Sequence, residues 1–258
     1  MELNQALQEG GVTTSFSGGI ASIEFHHPLS NSLPGKVLRE LAEAIENFGK
    51  SEEVKVIVLR SAGDKTFCSG ASFDELASIQ DLETGKKFFS GFAGVINAAR
   101  KCPKLIMGRI QGKAVGGGVG MAAACDYAFA TTEASVKLSE LAVGIGPFVV
   151  GPAVERKIGL SGMSELAINA TEWRSAEWAR NKGLYNEVFP GIAEMDAAIE
   201  QLAQRLAASS PQAMHRLKLI FWEGTEHWDT LLVQRAAISG ELVLSDYSKN
   251  AIARFKAK

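Results

Sequence analysis

QGKAVGGGVGMAAACDYAFATTEASVKLSELAVGIGPFVVG (residues 111–151) is the stretch on which the reading of this chain depends. Three consecutive glycines, Gly116, Gly117 and Gly118, follow an apolar run at 105–110 and open a short apolar stretch at 121–125. Glycine permits positive φ and lets another molecule approach the peptide closely. At a helix start such peptides present unpaired N–H groups, where the helix dipole favours an anion. Downstream lies one carboxylate, Glu140, between Leu138 and Leu141. An amide trap for negative charge beside one carboxylate describes a site that takes a proton and stabilises the resulting carbanion.

Outward from this stretch, strand and helix signals alternate. Residues 19–25 alternate apolar and polar with the strand period, ending at His26-His27-Pro28. Residues 33–48 place Val37, Leu38, Leu41, Ile45 and Phe48 at helical spacing, with Pro34 suited to a first turn. Further strands are expected at 54–59, 105–110 and 127–130, and helices at 73–79, 82–99 and 118–125. The rhythm predicts an α/β domain with crossover helices over residues 1–190. From 191 to 258 the pattern is helical, with segments at 192–208, 210–221 and 230–244.

Hydrophobic residues make up 46 % of the 258 and charged residues 22 %, the profile of an ordinary globular chain. A formal charge of −2 gives no electrostatic case for nucleic acid. No apolar run approaches the roughly eighteen residues of a membrane span. The opening MELNQALQEGG is polar and acidic, unlike a secretory signal, so the cytoplasm is the expected compartment. Cys68, Cys102 and Cys125 are widely spaced, which argues against a disulfide framework, and no metal site is expected. Cys125 reads as a small buried hydrophobe.

The glycine cluster has three readings. It fits a tight packing turn. It also fits a dinucleotide fingerprint, Gly118-x-Gly120-x-x-Ala123, with Glu140 placed 140 − 120 = 20 residues on. The helix before Asp126 is too short for such a crossover. The third reading is an oxyanion hole, with a second amide from Phe67-Cys-Ser-Gly-Ala-Ser72. There Gly70 permits an unusual turn and Ala71 opens a helix. Each donor of such a hole contributes about 3–4 kcal/mol to a transition state.

Taken together, Phe67-Cys-Ser-Gly-Ala, Gly116-Gly-Gly…Cys125-Asp126 and Ser139-Glu140-Leu141-x-x-Gly144 resemble the crotonase (enoyl-CoA hydratase/isomerase) superfamily, over nearly the whole chain. The resemblance implies a spiral of repeated strand–strand–helix units, a helical C-terminal trimerisation region (homotrimer or dimer of trimers), and a coenzyme A thioester as substrate. No further cofactor is implied. By position, Ala71 and Gly117 hold the thioester oxygen, Glu140 is the acid/base, and Ser69, Gly70, Ser72, Phe73 and Gly116 lie along the substrate.

Two departures bear on the reaction. Hydratases of this family carry a second glutamate in the helix after the triple glycine; here that position is Gly120. After Gly144 a glycine-rich turn is replaced by Ile145-Gly-Pro-Phe148-Val-Val, similar to mitochondrial-type isomerases, with Phe148 expected to exclude water. Phe148 or Val149 is expected to fill the vacancy at Gly120. Syn hydration needs two groups to hold and polarise water, whereas one base suffices to move a double bond. The expectation is isomerisation of 3-enoyl-CoA; the alternatives are hydration of 2-enoyl-CoA and a non-catalytic acyl-CoA binder. Ser72 stands where the family has aspartate and is still suited to cap a helix. Asp126 is expected to bond backbone amides, Asp74 and Glu75 to favour a helix dipole, and Arg254, Lys256 and Lys258 to form a solvated tail. Trp222, Trp228 and residues 230–244 are expected to supply the apolar face of the trimer.

Overall fold

The computed structural model describes residues 10–256, so the opening nonapeptide and Lys258 lie outside the described residues. Strands β1 (Gly11–Ser17) and β2 (Ile20–His26) form an antiparallel hairpin on a six-stranded sheet. β4 (Val56–Ser61), β7 (Leu105–Ile110), β9 (Tyr127–Thr131) and β11 (Glu187–Phe189) follow in the order β1-β2-β4-β7-β9-β11, all parallel from β2 onward. Four of these parallel strands are followed by a short strand in a smaller sheet and then a helix. β2 leads to β3 (Ser32–Leu33) and α1 (Gly35–Lys50). β4 leads to β5 (Thr66–Cys68), β6 (Gly70–Ala71), α2 (Phe73–Ser78) and α3 (Leu82–Lys101). β7 leads to β8 (Lys113–Val115) and α4 (Gly117–Ala124). β9 leads to β10 (Val136–Lys137), a 3₁₀ turn at Glu140–Val143 and α5 (Gly151–Ile168). This is the strand–strand–helix spiral expected from the sequence.

The elements follow from side-chain placement. In α1 the apolar residues Val37, Leu38, Leu41 and Ile45 are all buried on one stripe, and Pro34 is the N-cap rather than a first-turn residue. β4 and β7 are buried along almost their whole length, as strands covered on both faces must be. Asp81 caps α3 by accepting the Thr84 N–H at 2.8 Å.

After α6 (Ala176–Lys182) and β11 the chain is helical: α7 (Ile192–Ala207), α8 (Pro211–Phe221), α9 (Trp228–Leu242) and α10 (Asp246–Lys256). α7 covers one face of the large sheet, where Met195, Ile199 and Ala203 meet Val56, Met107 and Phe129. Trp222 and Trp228 are buried and join the main core, their rings meeting edge to face. They therefore do not supply an exposed face; α8 instead leaves Leu217, Leu219, Ile220 and Phe221 exposed. Arg254, expected in a solvated tail, is exposed; it lies on α10, whose Ala251 and Ile252 are buried. Among the described residues no helix is long and apolar enough to cross a membrane, and no group of three or more His, Cys, Asp or Glu is placed to hold a metal.

Candidate active site

Three short parallel strands, in the order β10-β8-β5, bring distant segments to one edge. β8 pairs with β5 through Ala114 and Cys68 and with β10 through Val115 and Lys137. Parallel pairing makes the chain leave all three strands on the same side. The loop after Cys68, the turn at Gly116 and the turn at Glu140 therefore emerge together, at the carboxyl ends of the strands where sites of such sheets form. The Gly116 N–H donates to Lys137 O at 2.9 Å and fastens two of the three exits.

Gly116 is the N-cap of α4, with φ 52° and ψ −113°, a conformation that side chains resist. A Cβ there would also lie 2.9 Å from Glu140 Oε1, so this glycine admits both the turn and the carboxylate. The N–H groups of Val119 and Gly120 donate to Gly116 O, which leaves the Gly117 and Gly118 amides without an intrahelical acceptor. On the other side Ser72 N–H donates to Leu33 O at 3.0 Å. Successive amides of an extended chain point to opposite sides, so the Ala71 amide turns away from β3. The two amide-bearing loops touch: a Cβ on Gly70, itself at φ 96°, would lie 3.9 Å from Gly117 N.

Glu140 opens its 3₁₀ turn and is half-buried at the wall of a cleft; its Oε2 is buried without a hydrogen-bond partner. Desolvation pushes its carboxyl up from 4.5 to about 7, against a smaller downward pull from the turn's own backbone amide. A carboxylate poised there exchanges protons readily at neutral pH. The turn is held by Gly144, at φ 78°, on which α10 sits: a Cβ on Gly144 would lie 2.5 Å from Ser248 Oγ. Val143 and Ile145 share a small apolar cluster with Leu76, Ile79, Ala251 and Ile252. The C-terminal helix thus braces the turn that carries the carboxylate.

The cleft, open mouth included, encloses about 690 Å³, within the usual range of small-molecule sites. Ser69, Gly70, Ala71, Phe73, Gly116, Gly117, Glu140 and Phe148 all line it. Ser72 does not; its Oγ accepts the Glu75 N–H at 3.3 Å and caps α2. Three phenylalanines of α3, Phe88, Phe89 and Phe92, complete the wall with Leu76, Val143, Ile145, Val150 and Ser239. These were not read from the sequence, although the helical spacing of Phe88, Phe89 and Phe92 is a visible signal. Among the described lining residues Glu140 is the sole titratable side chain.

Gly120 faces Val150, not Phe148 or Val149: a Cβ on Gly120 would lie 2.5 Å from Val150 Cγ1. Phe148 instead folds back over Gly146. Asp126 is structural, accepting from Ile106 N (2.7 Å), Trp222 Nε1 (2.8 Å) and Lys218 Nζ (2.6 Å). Glu75 accepts the Gly35 N–H at 2.9 Å. Cys125 is fully buried, and burial pushes its thiol up to about 12.

The chain is similar throughout its length to a short-chain-enoyl-CoA hydratase of Clostridium acetobutylicum, at 28% identity over 100% of this chain and 97% of the relative. A peroxisomal Delta(3,5)-Delta(2,4)-dienoyl-CoA isomerase of Arabidopsis thaliana is also 28% identical, over 76% of this chain and 74% of its own. Among solved structures, an enoyl-CoA hydratase from Bacillus halodurans superposes with a TM-score of 0.86 at 22% identity, covering 94% of this chain and 99% of the other. The family model described as Enoyl-CoA hydratase/isomerase matches residues 15–256. The chain belongs to the enoyl-CoA hydratase/isomerase family of the crotonase superfamily.

Proposed function

We propose that this protein isomerises 3-enoyl-CoA to 2-enoyl-CoA through a thioester enolate. The observation that carries the reading is the solitary carboxylate: Glu140 is the sole titratable side chain lining the cleft among the described residues, and Val150 occupies the space beside Gly120. The thioester oxygen sits between the Ala71 and Gly117 amides. Glu140, ionised, removes a proton from C2; the electron pair moves onto the thioester oxygen, where the two N–H groups stabilise it. The enolate collapses, the double bond shifts to C2–C3, and C4 takes the same proton back from Glu140. The base is restored without water, and coenzyme A is part of the substrate, so no further cofactor takes part.

Hydration of 2-enoyl-CoA is the second reading, favoured by the name of the hydratase that matches the whole chain. It requires a water activated by Glu140, and among the described residues that line the cleft only serine hydroxyls stand ready to assist. A trimer, or a dimer of trimers, is the assembly we propose, with the exposed apolar side chains of α8 covered by a neighbouring copy.

The test is Glu140→Gln, assayed by chromatographic conversion of 3-enoyl-CoA. The amide keeps size and polarity but takes no proton. A kcat loss of about three powers of ten or more, with acyl-CoA affinity nearly unchanged, is expected of a sole base. Retention of more than a tenth of the activity removes Glu140 from that role.

A further inference from the structure

We propose that Ser239 reads a neutral oxygen group, a hydroxyl or a carbonyl, carried toward the distal end of the acyl chain; this rests on the acyl-CoA reading above and specifies its substrate. Ser239 lies on α9, is 1% exposed and lines the cleft. Serines inside helices commonly return the hydroxyl to the carbonyl four residues before, as Ser90 does to Lys86 O at 2.7 Å. No side-chain hydrogen bond joins Ser239 to another described residue, and the residue lines the cleft. A buried hydroxyl covered by hydrocarbon loses the bonds that water gave it. An occupant with an oxygen at that point restores them.

The location follows from the packing of α3 on α9. At one end of the α3 face Gly85 meets Gly240: a Cβ on Gly240 would lie 2.7 Å from Lys86 N, and one on Gly85 would lie 2.9 Å from Gly240 Cα. Backbone contact there sinks the neighbouring Ser239 into the cleft wall. At the other end of the same face Phe92 packs against Gly117, the proposed enolate donor. Gly85 and Phe92 are seven residues apart, about 10 Å along a helix. Ser239 thus addresses a part of the chain remote from the thioester. Between the two ends the wall is apolar, with Phe88, Phe89, Leu76 and Val143. No Lys, Arg or His lines the cleft among the described residues, so a distal carboxylate would be buried unpaired and a neutral oxygen is the group that fits.

The probes are hexanoyl-, octanoyl- and decanoyl-CoA, each with and without a terminal hydroxyl, titrated calorimetrically into wild type and Ser239→Ala. At one chain length the hydroxylated ester is expected to bind about tenfold more tightly than its parent, the size of one neutral hydrogen bond. Ser239→Ala is expected to erase that gain while leaving the parent esters bound at least as well. Absence of a hydroxyl preference at every length, or a preference that survives in Ser239→Ala, makes Ser239 a small packing residue and overturns this inference alone. Failure of every ester to bind overturns the acyl-CoA reading and this inference with it.

Discussion

Glu140→Gln has a second consequence, in stability, that follows from the same desolvation. The carboxyl is pushed from 4.5 to about 7 in the folded chain, so the folded state binds its proton more tightly than the unfolded state. Folding stability linked to this group is full below pH 4.5 and is lost as the pH rises toward 7. At about 1.36 kcal/mol per pH unit, a rise of 7 − 4.5 amounts to about 3 kcal/mol. Water reaching the half-buried residue lowers that figure, so about 1–3 kcal/mol is expected. Glutamine carries no such linkage. Urea unfolding of both proteins at equal concentration, at pH 4.5 and pH 8, measures the difference directly. The variant should gain about 1–3 kcal/mol on wild type between the two pH values, while losing turnover. An unchanged difference would mean that the carboxyl is not desolvated, and the argument for its basicity would fail with it.

The wild-type kcat/KM should rise with pH as Glu140 ionises, with a midpoint near 7, and a midpoint near 4.5 in a pH–rate profile would show an ordinary solvated carboxylate. Gly120→Glu alone should destabilise the protein by about 1–3 kcal/mol through overpacking against Val150, whereas Gly120→Glu with Val150→Gly should hydrate 2-enoyl-CoA faster than wild type; equal hydration by the single and double variants would refute the role given to Val150. Light scattering after gel filtration should give the mass of three or six chains, and Ile220→Asp with Phe221→Asp should reduce it; a wild-type monomer at micromolar concentration would contradict the covered α8 face.

The part of the site that lies close along the chain was legible in the sequence. An apolar strand, three glycines and a carboxylate in apolar company are local signals, and β8, α4 and the Glu140 turn stand where they point. The parts set by packing were not. Whether Phe148 or Val150 meets Gly120 depends on the direction in which the chain enters α5, which no local pattern encodes. Trp222 and Trp228 read as excess apolar surface, but the indole of Trp222 has a buried partner in Asp126, 96 residues earlier. Arg254 reads as part of a solvated tail and is exposed, but the helix that carries it, α10, turns Ser248, Ala251 and Ile252 inward, a stripe too short to show in the sequence. Gly159, at φ 70°, breaks the helical period within α5 and hid that helix.

The central claim is that one carboxylate and two amides make an isomerase. Its most direct test is to give wild type 3-enoyl-CoA and, separately, 2-enoyl-CoA of the same chain length, and to compare double-bond migration with water addition. The account predicts migration faster than hydration by about two powers of ten or more, the contribution typical of one missing acid–base group. Hydration at a rate comparable to migration would show that Glu140 alone activates water, and would contradict the account.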